Sequence, residues 1–255
     1  MKLTRLFGAL AIGFLATACT TTPITGSSAF NMFSMDQDCE LGTEAYSQFT
    51  ADATLVTTNW GTKGQWKDTV EKVMSDLASV AEDQGYDYEV KLIDDDGTVN
   101  AWCLPCGKMA VYTGILPICD DATGLAVVMG HEIGHAIARH GTQRMSLDSA
   151  VQTLLSAATS DATLQSLGAA AYEYGAALPF GRDHELEADH IGLVLMARAG
   201  YDPREAVAFW GRMDQLSGGS STPEWLSTHP SHATRSQELE ELMPMAMEIY
   251  MANKP

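Results

Sequence analysis

Two histidines, His131 and His135, stand four residues apart in "LAVVMGHEIGHAIARHG", with Glu132 directly after the first. On a helix, side chains at i and i+4 share one face about a turn apart, so both imidazoles aim at a single point. Such a point can hold a divalent metal, and a carboxylate beside the pair is placed to take a proton from a water there. A pair of hydrogen-bonded core histidines is the plainer alternative. Five residues alone do not decide between the two.

A hydrolytic zinc site takes three protein ligands and leaves a fourth position open. The extended pattern HExxHxxGxxH needs Gly at 138 and His at 141, where the chain has Ala138 and Gly141. The alternative is a carboxylate on a separate helix, and "RDHELEADHIG" offers Glu185 with Asp189 one turn later on the same face. Glu185 is then the third ligand. Asp189 accepts the free N–H of a ligand histidine and fixes its tautomer. Glu187 points away from that face, and His184 and His190 lack a matching carboxylate, so these three are expected as bystanders, the histidines at the surface. The two segments together predict one Zn²⁺ per chain on His131, His135 and Glu185, with Glu132 as the base.

The elements that must position these groups are mostly helical. Apolar spacing predicts helices over Asp36–Phe49 and Trp66–Gln84, the HExxH helix, and a Ser/Ala/Leu-rich helix from about Leu147 to Ala171. Further helices open near Arg182, at "DPREA" and after "HPSHATR". "YEVKLID" and "VNAWCL" alternate like strands across a "DDDG" turn, and "KMAVYT" follows as a third. The expected fold is α+β, mostly helical: a zincin-type domain with a small antiparallel sheet packed on the HExxH helix. The stretch "AVQTLLSAATSDATLQSLGAAAYEYGAALPF" is apolar enough to suggest a membrane span, but Gln152, Asp161 and Gln165 interrupt it. A packed helical hairpin is expected there instead.

Lys2 and Arg5 precede "LFGALAIGFLATAC", the layout of a secretory signal over 1–18. Its end, Ala16-Thr17-Ala18-Cys19, resembles a lipobox, so Cys19 is expected to be lipidated and 19–35 to be a polar tether, leaving 36–255 as the domain. Formal charge is −18, spread along the chain, which argues against nucleic acid as a partner. Four cysteines remain after Cys19, an even number suited to disulfides in an exported protein. Cys103 with Cys106 and Cys39 with Cys119 is the first choice among three connectivities.

The blocks "VNAWCLPCGKMAVYTGIL", "VVMGHEIGHAIARHGTQRMS", "LPFGRDHELEADHIGLVLMARAGYDPREAV" and "EWLSTHPSHATRSQEL" resemble the gluzincin peptidases that include the CAAX prenyl protease and the heat-shock membrane protease, most closely their small periplasmic lipoprotein branch. Cys103 and Cys106 depart from it, since Ala or Gly is more usual there. The resemblance implies a metalloendopeptidase that cleaves misfolded or unassembled envelope proteins, anchored by lipid in a bacterial periplasm at the outer membrane. The strand at Asn100, Ala101 and Trp102 is expected to be the edge on which an extended substrate adds as another strand, with a merely protected edge as the plainer alternative. His229 is expected to reach the metal, either stabilising the oxyanion or filling the open position at rest, with Arg235 holding its loop. A zinc-containing chaperone and a structural lipoprotein are the rival classes. Glu132 argues against both, since neither needs a base beside the metal.

Overall fold

The computed structural model describes residues 19–58, 61–81, 85–173, 178–217, 223–230 and 233–254. The signal sequence expected over 1–18 lies outside them, as does the end of the helix expected to reach Gln84. Among the described residues the elements are β1 (Cys19–Thr21), β2 (Ser28–Phe30), α1 (Met35–Phe49), α2 (Gly61–Val80), β3 (Glu89–Ile93), β4 (Ala101–Leu104), β5 (Lys108–Tyr112), α3 (Leu116–Cys119), α4 (Ala122–Ile137), α5 (His140–Ala158), α6 (Ala162–Tyr172), α7 (Leu178–Arg198), α8 (Glu205–Ser217), α9 (Glu224–Thr228) and α10 (Ala233–Asn253). The molecule is α+β and mostly helical, as its periodicity predicts.

The HExxH helix, α4, is the centre of the core. Asp121 caps its start by accepting from the Thr123 and Gly124 amides at 2.7 and 3.0 Å, which satisfies two donors the helix leaves unpaired. Leu125, Val128, Met129, Ile133 and Ile137 are all buried, so α4 is apolar nearly all round and is enclosed by α2, α7, α8 and β4. The approach of α7 is close because glycine stands at the contact. A Cβ on Gly192 would lie 2.8 Å from the backbone of Gly130 and His131, and one on Gly134 would lie 2.7 Å from the Ala188 carbonyl oxygen.

The three-stranded sheet is mixed, which corrects the antiparallel one expected. Its order is β3-β5-β4, with β3 parallel to β5 and β4 antiparallel to it. The "DDDG" stretch therefore closes no hairpin. Lys63 of α2 pairs with Asp94 and with Asp96 there, while β5, whose Met109, Ala110 and Val111 are fully buried, takes the centre. A strand apolar on both faces belongs inside a sheet.

The cysteine pairing also differs. Cys39 of α1 is bonded to Cys106, and Cys103 and Cys119 are free. Cys106 adopts φ +66° in the turn Pro105–Gly107, which carries it to α1 and away from Cys103, and Cys119 is sealed in the core. The single helix expected over Leu147–Ala171 is two, α5 and α6, broken where Asp161 caps the second through the Thr163 and Leu164 amides. They form the expected hairpin, and no single helix among the described residues is long and apolar enough to cross a membrane. Within the stretch read as a tether, β1 and β2 pair antiparallel. This hairpin is tied down where the Asn31 amide donates to Thr142 Oγ1 and the Met32 amide to Ser146 Oγ, each at 2.9 Å.

Candidate metal centre

The α4–α7 contact sets the site. His131 and His135 rise from α4 and Glu185 from α7, and His229 follows α9. One ligand atom from each of these four lies within 4.8 Å of every other. His131 Nε2 is 3.0 Å from His135 Nε2 and 3.2 Å from His229 Nδ1. Glu185 reaches His131 at 3.5 Å, His135 at 3.3 Å and His229 at 3.1 Å. Zinc bonds of ordinary length in a tetrahedron place their donors about 3.3–3.4 Å apart. The separations observed fit that figure, and two imidazoles with a carboxylate are a donor set zinc prefers.

The surroundings favour a cation. Asp189 Oδ1 lies 2.9 Å from His131 Nδ1, the nitrogen turned away from the donors, as expected from the residue spacing. Arg235, 1% exposed, donates to Asp189 at 2.6 and 2.7 Å and to Glu185 at 3.0 Å, and its guanidinium carbon lies over the Trp210 ring, 3.8 Å from the centroid. It also donates to the Pro230 carbonyl, just after His229, at 3.3 Å. Burial would raise the Asp189 carboxyl, but Arg235 and His131 hold it down to about 2. Burial opposes a charge on His131 too, yet Asp189 and Glu185 raise its pKa to about 9, a measure of the negative field a cation meets here. Burial alone would raise Glu185 as well, but its three histidine partners hold it far below the carboxylate range.

Glu132 stands beside the donors and outside their group. Its Oε1 accepts from Trp225 Nε1 at 2.8 Å and lies 3.3 Å from His229 Nε2. A cleft of about 240 Å³ opens next to it, lined by Trp102, Cys103, Pro105 and His140 among others. Asn100, Ala101 and Trp102 lie at and just before β4, one of the sheet's two edge strands, with the Trp102 ring edge-on to Tyr46 and Phe49. Burial, with the Glu132 charge nearby, pushes the Cys103 thiol up.

One expectation fails at the bystanders. His184 is buried and stacks on His140, ring centroids 3.8 Å apart. Glu187 does turn away from the metal donors, but toward His140 at 3.1 Å. Trp225, His140 and Glu187 were missed as parts of the site. Only His140 had a signal in the sequence, its place right after the HExxH helix.

A helix-borne His-Glu-His with a carboxylate from a second helix and a base beside it defines a gluzincin-type metallohydrolase. The description "Peptidase family M48" matches residues 63–243, and the chain belongs to that family and is a metalloendopeptidase. It is 34% identical over 252 residues to the mitochondrial metalloendopeptidase OMA1 of Schizosaccharomyces pombe, covering 94% of this chain and 72% of that one. With human mitochondrial OMA1 it shares 32% over 271 residues, 98% of this chain but 51% of the other. With the β-barrel assembly-enhancing protease of Escherichia coli K12 it shares 28% over 246 residues, 90% of this chain and 49% of the other. The bacterial periplasmic and outer-membrane address is thereby corrected, because the more similar of these relatives are mitochondrial. A short basic and apolar leader is too generic a signal to name a compartment.

Proposed function

We propose that the chain is a zinc-dependent endopeptidase for extended segments of misfolded or unassembled proteins. The observation that carries this reading is the four-donor cluster of His131, His135, Glu185 and His229 with Glu132 held beside it and outside it. A staple or a carrier has no use for a buried base there. The name of the Escherichia coli relative, which ties a protease of related sequence to β-barrel assembly, supports a role at proteins in the course of assembly.

His131, His135 and Glu185 would hold the zinc, which would polarise a scissile carbonyl and acidify a water. Glu132 takes the proton of the attacking water and delivers it to the leaving amine. Trp225 fixes one Glu132 oxygen and leaves the other for this transfer. The outer edge of β4 receives the substrate as an added strand, so that main-chain hydrogen bonds give affinity with little demand on sequence. His229, with its Nδ1 among the donors, would be a fourth group able to hold the metal at rest, and its displacement would make room for substrate.

Zinc content and cleavage of casein, an unfolded protein, test this together. Glu132→Gln is expected to keep one zinc per chain and lose cleavage, whereas Glu185→Ala loses both. Full zinc in the Glu185 variant, or casein cleavage at the wild-type rate by the Glu132 variant, sinks the assignment. At matched zinc occupancy, His229→Ala is expected to raise basal cleavage. An unchanged kcat and KM makes His229 a bystander.

A further inference from the structure

His131 has Asp189 behind it, but among the described residues no carboxylate is seen at the outer nitrogen of His135. What meets that nitrogen is His140: Nδ1 of His135 and Nδ1 of His140 are 2.8 Å apart. The contact depends on a kink. Arg139 takes φ +61° between α4 and α5, a left-handed conformation that costs a non-glycine residue energy and persists only when its surroundings hold it. Here the hold is the buried pair of Arg139 Nε with Asp38 at 2.6 Å and a further bond to the Phe33 carbonyl at 2.5 Å. A straight helix would carry residue 140 past His135, and the kink turns its ring back.

Proton positions along the contact are determined by elimination. His135 turns Nε2 toward the donors, so as a ligand it must keep that lone pair and carry its proton on Nδ1. His140 must then accept at Nδ1 and carry its own proton on Nε2. That proton faces Glu187 Oε2 at 3.1 Å, and the other Glu187 oxygen accepts from Thr25 Oγ1 at 2.5 Å, in the turn of the β1–β2 hairpin. An ionised carboxylate only accepts, so every donor finds an acceptor in one arrangement and in no other. His184, stacked at 13° to the His140 ring and 3.2 Å from Gln143 Oε1, keeps the ring in plane.

We propose that His140 and Glu187 are positioning residues for the metal ligand His135, fixing its tautomer and ring orientation through a chain that ends on Thr25 of the N-terminal hairpin. The proposal rests on the metal-centre reading above. It gives the two imidazole ligands unlike supports: a carboxylate in direct contact for His131, and a carboxylate one imidazole removed for His135. It also makes the N-terminal hairpin part of the metal site's support.

Zinc affinity by competition with a chromophoric chelator tests it, together with the melting temperature of each chelator-treated protein. Outer-sphere partners of metal histidines are worth about 10- to 100-fold in affinity. His140→Phe, which fills the same space with no acceptor, is expected to weaken zinc by that factor, and Glu187→Ala by less. His140→Asn sets its side-chain oxygen where Nδ1 stood and is expected to bind zinc close to wild type. Thr25→Val is expected to change affinity least. A metal-free melting temperature unchanged in His140→Phe shows that the loss is not general unfolding, and should that variant melt early, the contrast of His140→Asn with Glu187→Ala still decides. Wild-type affinity in His140→Phe, or equal losses in the Phe and Asn variants, overturns the proposal. A wild-type protein that binds no zinc overturns instead the metal-centre reading, which Glu185→Ala probes independently.

Discussion

The α4–α7 pair and the α5–α6 pair both meet at a glycine, yet a methyl group added at each would strike different things. On Gly192 of α7 it would lie 2.8 Å from the backbone of Gly130 and His131. On Gly168 of α6 it would lie 2.5 Å from the tip of the Leu155 side chain. Backbone cannot yield without moving a helix, whereas a leucine tip can take another rotamer. The first contact is therefore rigid, and it carries four of the groups whose relative positions matter: His131 and His135 on one helix, Glu185 and Asp189 on the other. The second belongs to a hairpin that leaves Leu154, Leu164 and Leu167 more than half exposed. Precision has been concentrated where a metal has to be held, and beyond His140, at the very start of α5, the hairpin carries none of that demand.

The comparison breaks most severely at Arg235. Arg235→Met removes the guanidinium that bridges Asp189 and Glu185 and leaves the two buried carboxylates to share His131. Losing one partner of a buried charge network costs about 3–5 kcal/mol. For a chain of this size that lowers the metal-free melting temperature by roughly 6–20 °C. Zinc is expected to restore part of the loss by pairing with Glu185. Melting curves with and without chelator check both, and a metal-free melting point equal to wild type excludes a structural role for the network. Gly192→Ala comes next. Its Cβ forces α7 off α4, which costs about 1–3 kcal/mol and separates Glu185 from the histidines, so zinc affinity should fall further than stability does. If stability falls and zinc affinity holds, the α4–α7 distance is not what sets the site.

How much of this was legible beforehand depended on how local the cause was. His131, His135, Glu185 and Asp189 could be picked out because helical spacing alone puts each pair on one face; the donor cluster joins the first three, and Asp189 lies against His131. The strand segments were legible for the same reason, but their order was not. β5 takes the middle because it is buried on both faces, a property of the packed molecule, and no turn residue between β3 and β4 announces it. The Cys39–Cys106 bond joins positions 67 residues apart, which parity cannot choose. The His135–His140 contact depends on the left-handed Arg139, and that depends on Asp38 in α1. Apolar periodicity carries no trace of such a kink.

The hairpin supplies the smaller effects. Leu164→Gln with Leu167→Gln exchanges exposed apolar groups for polar ones, and surface changes of this kind stay within about 0.5 kcal/mol. A fall of several degrees in melting temperature would mean that these leucines pack on something in solution. Gly168→Ala has the smallest expected effect and the most informative sign. Two terms compete there. Alanine in place of glycine in a helix interior favours the helix by about 1 kcal/mol, and the new methyl requires Leu155 to change rotamer, at a cost of about 0.5–1.5 kcal/mol if no relaxed rotamer is open. Leu155 is only half-buried, so solvent leaves it room to move, and the propensity term should win. Gly168→Ala is expected to melt at or slightly above wild type and to bind zinc unchanged, while Gly192→Ala, the same chemical change, loses both. A Gly168→Ala protein as damaged as Gly192→Ala would show that the two glycine contacts are equally rigid, and the division between a precise α4–α7 pair and a tolerant hairpin would fall.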